Sequence, residues 1–193
     1  MRDYFLLFMA AVVVNNFVLT RFLGLCVFFG VSKNLNASIG MGMAVTSVMT
    51  FSSVLAWTIY TFVLEPLNLP FLTTIVFVLL TASFVQLLEM VIKKYAPALY
   101  KLWGIYLVLI ATNCIVLAVP LLNVQNQYSF FMSLVNAIGS GVGFALAIIL
   151  LASLREKLRL AEVPKPLEGL GIAFILTGML ALSFFGFSGM IVL

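Results

Sequence analysis

Val14-Asn15-Asn16-Phe17-Val18-Leu19-Thr20-Arg21-Phe22-Leu23-Gly24-Leu25-Cys26 is the stretch whose reading decides the fold. It lies inside an apolar run from residue 4 to residue 31 whose single charge is Arg21. About 28 residues of helix at ~1.5 Å each exceed the ~30 Å hydrocarbon core of a bilayer. Two adjacent amides, a threonine, an arginine and a glycine fall in the middle. Polar groups at membrane depth are costly unless they are paired. The run therefore reads as a membrane helix interrupted partway. Broken backbone is tolerated at that depth only where protein or a cavity covers it.

The rest of the chain supports a membrane setting. Its 193 residues are 64% hydrophobic and 8% charged, with a mean hydropathy of +1.25. Soluble domains carry about 25% charged residues, and disorder requires low hydrophobicity. Both classes are excluded. Long uncharged stretches cover 34–64, 66–88, 102–154 and 169–193. The third is long enough for two spans and has a polar break at Asn123-Val124-Gln125-Asn126-Gln127. Six transmembrane helices follow, near 4–31, 38–63, 70–92, 101–122, 130–154 and 169–192. The alternation of a membrane β-barrel is absent. The first span has no small-residue cleavage site after a short apolar run, and reads as a retained helix. The expected fold is an all-α integral membrane protein with a single domain, 1–193.

The basic residues orient these spans. One side would carry both termini and loops 63–70 and 122–130, with Arg2 as its only Lys or Arg. The other would carry Lys33, Lys93, Lys94, Lys101, Arg155, Lys157, Arg159 and Lys165. The positive-inside rule puts loops 31–38, 92–101 and 154–169 in the cytoplasm and both termini outside. The net charge of +4 is accounted for by topology and calls for no nucleic-acid partner.

The halves resemble each other. Asn16 and Asn113 recur at an offset of 97, as do Glu65 and Glu162. Ile39-Gly40-Met41-Gly42 recurs as Ile138-Gly139-Ser140-Gly141 at an offset of 99. Two tandem three-span units cross the membrane in opposite senses, so the expectation is an inverted-topology repeat, about 1–95 and 96–193. The fourth span, Ile110-Ala111-Thr112-Asn113-Cys114-Ile115-Val116-Leu117-Ala118-Val119-Pro120, is interrupted like the first. Breaks at corresponding places in two halves point to a midplane site. Glycines on spans two and five read as close helix packing.

Cys26 and Cys114 are the two cysteines, one in each interrupted span. From the residues alone they read as small buried hydrophobes, and a disulfide within the bilayer is poorly motivated. Two thiolates fall short of the four that an iron–sulfur or structural zinc site needs. Any such site would draw two ligands from a partner chain. Glu89 reads as the i+4 partner of Lys93 or as an ion relay. Arg21 reads as a snorkelling residue, a partner contact or a charge tuning a nearby centre. There is no histidine and no nucleotide-binding or hydrolytic motif, so the chain holds no complete active site. An inverted repeat with broken helices also fits a small secondary transporter, and a membrane scaffold with inert cysteines is a third reading.

The segments Val14-Asn15-Asn16-Phe17-Val18-Leu19, Phe22-Leu23-Gly24-Leu25-Cys26, Gly30-Val31-Ser32-Lys33, Thr112-Asn113-Cys114, Leu154-Arg155-Glu156-Lys157-Leu158 and Gly186-Phe187-Ser188-Gly189 carry a resemblance. Together they are similar to the A subunits of the bacterial Rnf complex, an ion-translocating ferredoxin:NAD+ oxidoreductase. A related family comprises the D and E subunits of the sodium-translocating NADH:quinone reductase. Asn15-Asn16 and Phe28-Phe29-Gly30-Val31-Ser32 look more like the Rnf branch than like the reductase's E subunit. The resemblance covers the whole chain.

That resemblance implies an electron-transport component of the bacterial inner membrane. It implies that Cys26 and Cys114 ligate half of an intramembrane [2Fe–2S] cluster. The homologous E subunit of the Rnf complex would supply two further cysteines. Other Rnf subunits would carry the flavin and the remaining iron–sulfur centres. Asn16, Gly24, Thr112 and Asn113 would then be available as donors around the cluster. The family pattern has proline where this chain has Val27 and Val108; without them the way helices one and four are broken stays open, with Pro120 a candidate on the far side of the fourth.

Overall fold

The computed structural model describes residues 2–65, 70–95, 109–110, 113–158 and 169–187. All regular structure among them is helical. The parts of the expected loops at 66–69, 96–101 and 159–168, and the C-terminal residues 188–193, lie outside the described residues. So do Val108 and Thr112.

The first expected span is a relay of short helices. Helix α1 (Arg2–Met9) runs on into a π-helical turn, Ala10–Val14. Helices α2 (Phe17–Arg21) and α3 (Leu25–Val31) follow. Helix α4 (Leu35–Ile59) continues as a π-turn, Tyr60–Leu64. Helix α5 spans Thr73–Tyr95 after a 3-10 turn, Pro70–Leu72. Helix α6 spans Cys114–Gln125, α7 spans Phe130–Leu158 and α8 spans Leu170–Phe185.

Among the described residues, three helical stretches are long and apolar enough to cross a membrane: Leu35–Leu64, Thr73–Val91 and Phe130–Leu158. They correspond to the second, third and fifth expected spans. The stretches Tyr4–Val14, Cys114–Gln125 and Leu170–Phe185 are apolar but shorter. At ~1.5 Å per residue α8 reaches about 24 Å, short of the 169–192 span read from the sequence.

In lipid, polar groups must be satisfied within the chain. Helix α4 does so locally: Thr46 donates to the Gly42 carbonyl at 2.7 Å, Thr50 to Thr46 at 2.8 Å and Thr58 to Val54 at 2.8 Å. Between α4, α6 and α7, Asn123 Nδ2 donates to Ser53 Oγ (2.9 Å) and to the Ser133 carbonyl (3.3 Å). Asn123 Oδ1 accepts from Asn136 Nδ2 at 2.7 Å. The polar break read from the sequence at 123–127 is thus partly structural glue, with Asn123 buried. Phe51, Phe62, Leu79, Met90 and Leu182 point outward, as a lipid-bathed surface allows.

Helices α4 and α7 form the central pair, with α1 against α7, α6 against α4 and α8 against α2 and α7. Lipid removes the hydrophobic drive between helices, so their association depends on close approach. A Cβ on Gly42 would stand 2.8 Å from Ala145 Cβ, and one on Gly141 would stand 2.6 Å from Thr46 Cγ2. The two contacts are interchanged by the offset of 99 that relates Gly42 to Gly141 and Thr46 to Ala145. Gly143 packs against the Val12 carbonyl in the same way, which brings the π-turn of the first span onto α7.

Candidate functional site

The two breaks are built alike. Asn16 stands at the N-cap of α2 with φ −66° and ψ 106°, and its Oδ1 accepts from Val18 N–H at 3.2 Å. Asn113 stands at the N-cap of α6 with φ −74° and ψ 117°, and its Oδ1 accepts from Ile115 N–H at 3.3 Å. In each case an asparagine oxygen satisfies a backbone donor that the helix start leaves free. Both side chains are buried.

The first break is prolonged by left-handed backbone. Phe22 has φ 54° and Gly24 has φ 77°, with Leu23 N–H donating to the Phe17 carbonyl at 3.0 Å. This closes α2 and redirects the chain into α3 without proline. Val27 is fully buried as the third residue of α3. Pro120 does not break the fourth span. It lies inside the continuous helix α6, and the interruption is at Asn113. A proline ring removes one helical hydrogen bond, but Asn113 sets the start of the helix.

Gly24 connects the two breaks. A Cβ there would stand 2.8 Å from Asn113 Oδ1 and 3.7 Å from Ile115 Cβ. The residue two before Cys26 is therefore in contact with the residue just before Cys114. Cys26 is the second residue of α3 and Cys114 the first of α6.

Both cysteines are exposed. The residue-only expectation of buried, packing cysteines is thereby overturned. The helices carrying them bury Val27, Phe28, Ile115 and Val116 instead, which turns the thiols outward. No group of three or more His, Cys, Asp or Glu among the described residues suits a metal ion. With two cysteines and no histidine, the chain supplies at most two of the four thiolates that a [2Fe–2S] cluster takes. Two outward thiols on adjoining helix starts do fit half of a site completed by another chain. The buried Asn113 Nδ2 atom, on the residue preceding Cys114, has no hydrogen-bond partner among the described residues.

Arg21 ends α2 on the exposed side of the break, its guanidinium carbon 5.5 Å from the Phe17 ring centroid. Glu89 lies on α5, half-buried, away from both breaks in sequence. Arg155, which the sequence presented only as a topology charge, reaches the far end of α3. Its Nη1 donates to Ser32 Oγ at 2.7 Å and to the Phe29 carbonyl at 3.2 Å. A basic residue in a basic loop carries no signal for such a clasp, so sequence reasoning had no way to find it.

Comparison with known proteins places these features in context. Residues 4–191 match the family described as Rnf-Nqr subunit, membrane protein. The chain is 76% identical over 191 residues to the A subunit of the proton-translocating ferredoxin:NAD(+) oxidoreductase complex of Clostridium ljungdahlii, covering 99% of each chain. It is 53% identical, with the same coverage, to the A subunit of the ion-translocating oxidoreductase complex of Serratia proteamaculans. With the A subunit of the Na(+)-translocating ferredoxin:NAD(+) oxidoreductase complex of Acetobacterium woodii the identity is 51% over 94% of each chain.

Proposed function

Because this chain belongs to the Rnf-Nqr family of membrane subunits, we propose that it is the A subunit of an ion-translocating ferredoxin:NAD+ oxidoreductase complex. In that role it contributes Cys26 and Cys114 to a [2Fe–2S] cluster shared with a homologous membrane protein, the E subunit of the same complex. The observation that carries this reading is the contact between Gly24 and Asn113. It joins the start of α3, whose N-cap is Gly24 and which bears Cys26, to the asparagine-capped start of α6, which bears Cys114, and both thiols are exposed. Whole-length identity to A subunits favours it over a secondary transporter, over an inert scaffold and over the E subunit of the sodium-translocating quinone reductase.

The chain's residues prepare the site. Asn16 and Asn113 hold the starts of α2 and α6. Gly24 lets the loop after α2 press against Asn113. Arg155 fastens the end of α3 opposite to Cys26. The cluster, when bound, supplies one-electron transfer within the bilayer. Flavin, ferredoxin and NAD+ chemistry belong to other subunits, since this chain has no motif for them.

The architecture proposed is six helices in two inverted three-helix repeats, interrupted in helices one and four. It rests on the interchanged Gly42–Ala145 and Gly141–Thr46 contacts and on the matching caps at Asn16 and Asn113. The proposed membrane is the bacterial inner membrane, with both termini periplasmic, an orientation that the Lys and Arg distribution supports. Relatives translocate protons in one complex and sodium in another by name, so the ion is set by features that these relatives do not share.

The test is ferredoxin-linked NAD+ reduction in membrane vesicles carrying Cys114→Ser. The expected result is a complex that assembles and does not pass electrons. Wild-type rates, with the variant chain present in the complex, would show that electrons take another route.

A further inference from the structure

We propose that the side-chain amide of Asn113, and not that of Asn16, donates a hydrogen bond to a cysteine thiolate sulfur at the cluster, Cys26 or Cys114, and thereby raises the cluster's reduction potential. This rests on the cluster reading given above and assigns distinct roles to two residues that the sequence presents as equivalents.

The asymmetry lies in the amide nitrogens. At both breaks Oδ1 accepts a backbone N–H two residues on. That fixes the orientation of each amide, because the flipped form would bring two donors together. Asn16 Nδ2 then donates to the Gly143 carbonyl at 2.8 Å and to the Val12 carbonyl at 3.3 Å. It is committed to joining the π-turn of the first span to α7. Asn113 Nδ2 is buried and has no hydrogen-bond partner among the described residues. Leaving a buried amide donor without an acceptor is costly, and such a group in a folded chain calls for an acceptor that the chain itself does not supply.

One cysteine lies next to it along the chain, and the other follows a residue that it touches. Cys114 follows Asn113 directly, and Asn113 touches Gly24, two residues from Cys26. A neutral thiol is a weak acceptor. A thiolate bound to iron carries negative charge and takes an N–H bond of the stronger, charge-assisted kind. Its charge grows when the cluster is reduced, so the donor stabilises the reduced state more than the oxidised one. Hydrogen bonds to sulfur are among the factors that set the potentials of such clusters.

The experiment is an EPR-monitored redox titration of the purified complex, comparing wild type, Asn113→Ser and Asn16→Ser. Serine keeps an oxygen for the helix cap and removes the amide donor. In Asn113→Ser the reduction equilibrium should shift about tenfold toward the oxidised form, which is about 59 mV for a one-electron couple. Asn16→Ser should titrate with wild type. Equal midpoints for Asn113→Ser and wild type, or an equal shift in Asn16→Ser, would overturn the assignment while leaving the cluster itself in place. Absence of any signal that depends on Cys26 or Cys114 would remove the cluster reading as well. Should Asn113→Ser empty the site, pulsed EPR on complex containing asparagine labelled with 15N in its side-chain amide decides the matter. A 15N coupling to the reduced cluster in both wild type and Asn16→Ser supports the proposal, and none in wild type refutes it.

Discussion

Gly24 packs so closely on the amide of Asn113 that a Cβ there would stand 2.8 Å from its Oδ1, and the start of α3 thereby rests on the start of α6. The contact exists because Gly24 adopts φ 77° and presents no side chain. Gly24→Ala should therefore be unfavourable twice over. Left-handed backbone costs an L-residue roughly 1–2 kcal/mol, and the new Cβ would stand 2.8 Å from Asn113 Oδ1. Thermal unfolding of the purified complex should show a lower midpoint for the variant. An unchanged midpoint would mean that the two breaks are not held together there.

The crossing of α4 and α7 makes a second prediction. A side chain at Gly141 would meet Thr46 within 2.8 Å, including its Cα, and backbone cannot yield as a flexible side chain does. Gly141→Val should abolish accumulation of the folded protein in the membrane. Gly178→Ala on α8 is the control, since a Cβ there meets nothing within 4 Å. Immunodetection of both variants in membranes checks the pair, and equal amounts would contradict the packing.

Arg155 provides a third. Replacing it with Met leaves the Phe29 carbonyl and Ser32 without their charged donor, a loss of about 1.5–3 kcal/mol for hydrogen bonds of that kind. The end of α3 should loosen and the complex should unfold at lower temperature. Arg155→Lys should recover part of the loss, because an ammonium still donates but lacks the guanidinium fork. Identical stability of Arg155→Met and wild type would show that the clasp contributes nothing.

Topology gives the fourth. With one Lys or Arg on the terminal side and eight on the other, a reporter that works only outside the cytoplasm should be active when fused after Leu193. A cytoplasm-dependent reporter should be silent at the same position. The reverse pattern would invert the whole arrangement.

Much of this organisation was legible in the sequence, for physical reasons. Uncharged stretches must be helices in lipid, so α4, α5 and α7 stand close to where charge spacing puts them. Asn16 and Gly24 in an apolar run announce a break, because neither is favourable there without a task. The glycines of spans two and five mark the crossing at Gly42 and Gly141. Other features were hidden. Pro120 suggests an interruption that the chain makes seven residues earlier, at Asn113, since a capping side chain starts a helix and a proline within it does not stop it. Cysteine's usual burial misdirects as well, because exposure of Cys26 and Cys114 depends on which faces of α3 and α6 pack inward. The different commitments of the Asn16 and Asn113 amides depend on a neighbour 127 residues away in one case, which no local pattern encodes.

In the function proposed above, Cys26 and Cys114 are half of the ligand set of an intramembrane [2Fe–2S] cluster. The most direct measurement is the EPR spectrum of the reduced, purified complex, recorded for wild type and for Cys26→Ser at matched protein content. Serine oxygen is a harder and poorer ligand for this iron than thiolate. The expected result is a [2Fe–2S] signal in wild type that is lost or shifted in Cys26→Ser. A signal identical in both, with the variant chain present in the complex, would contradict it.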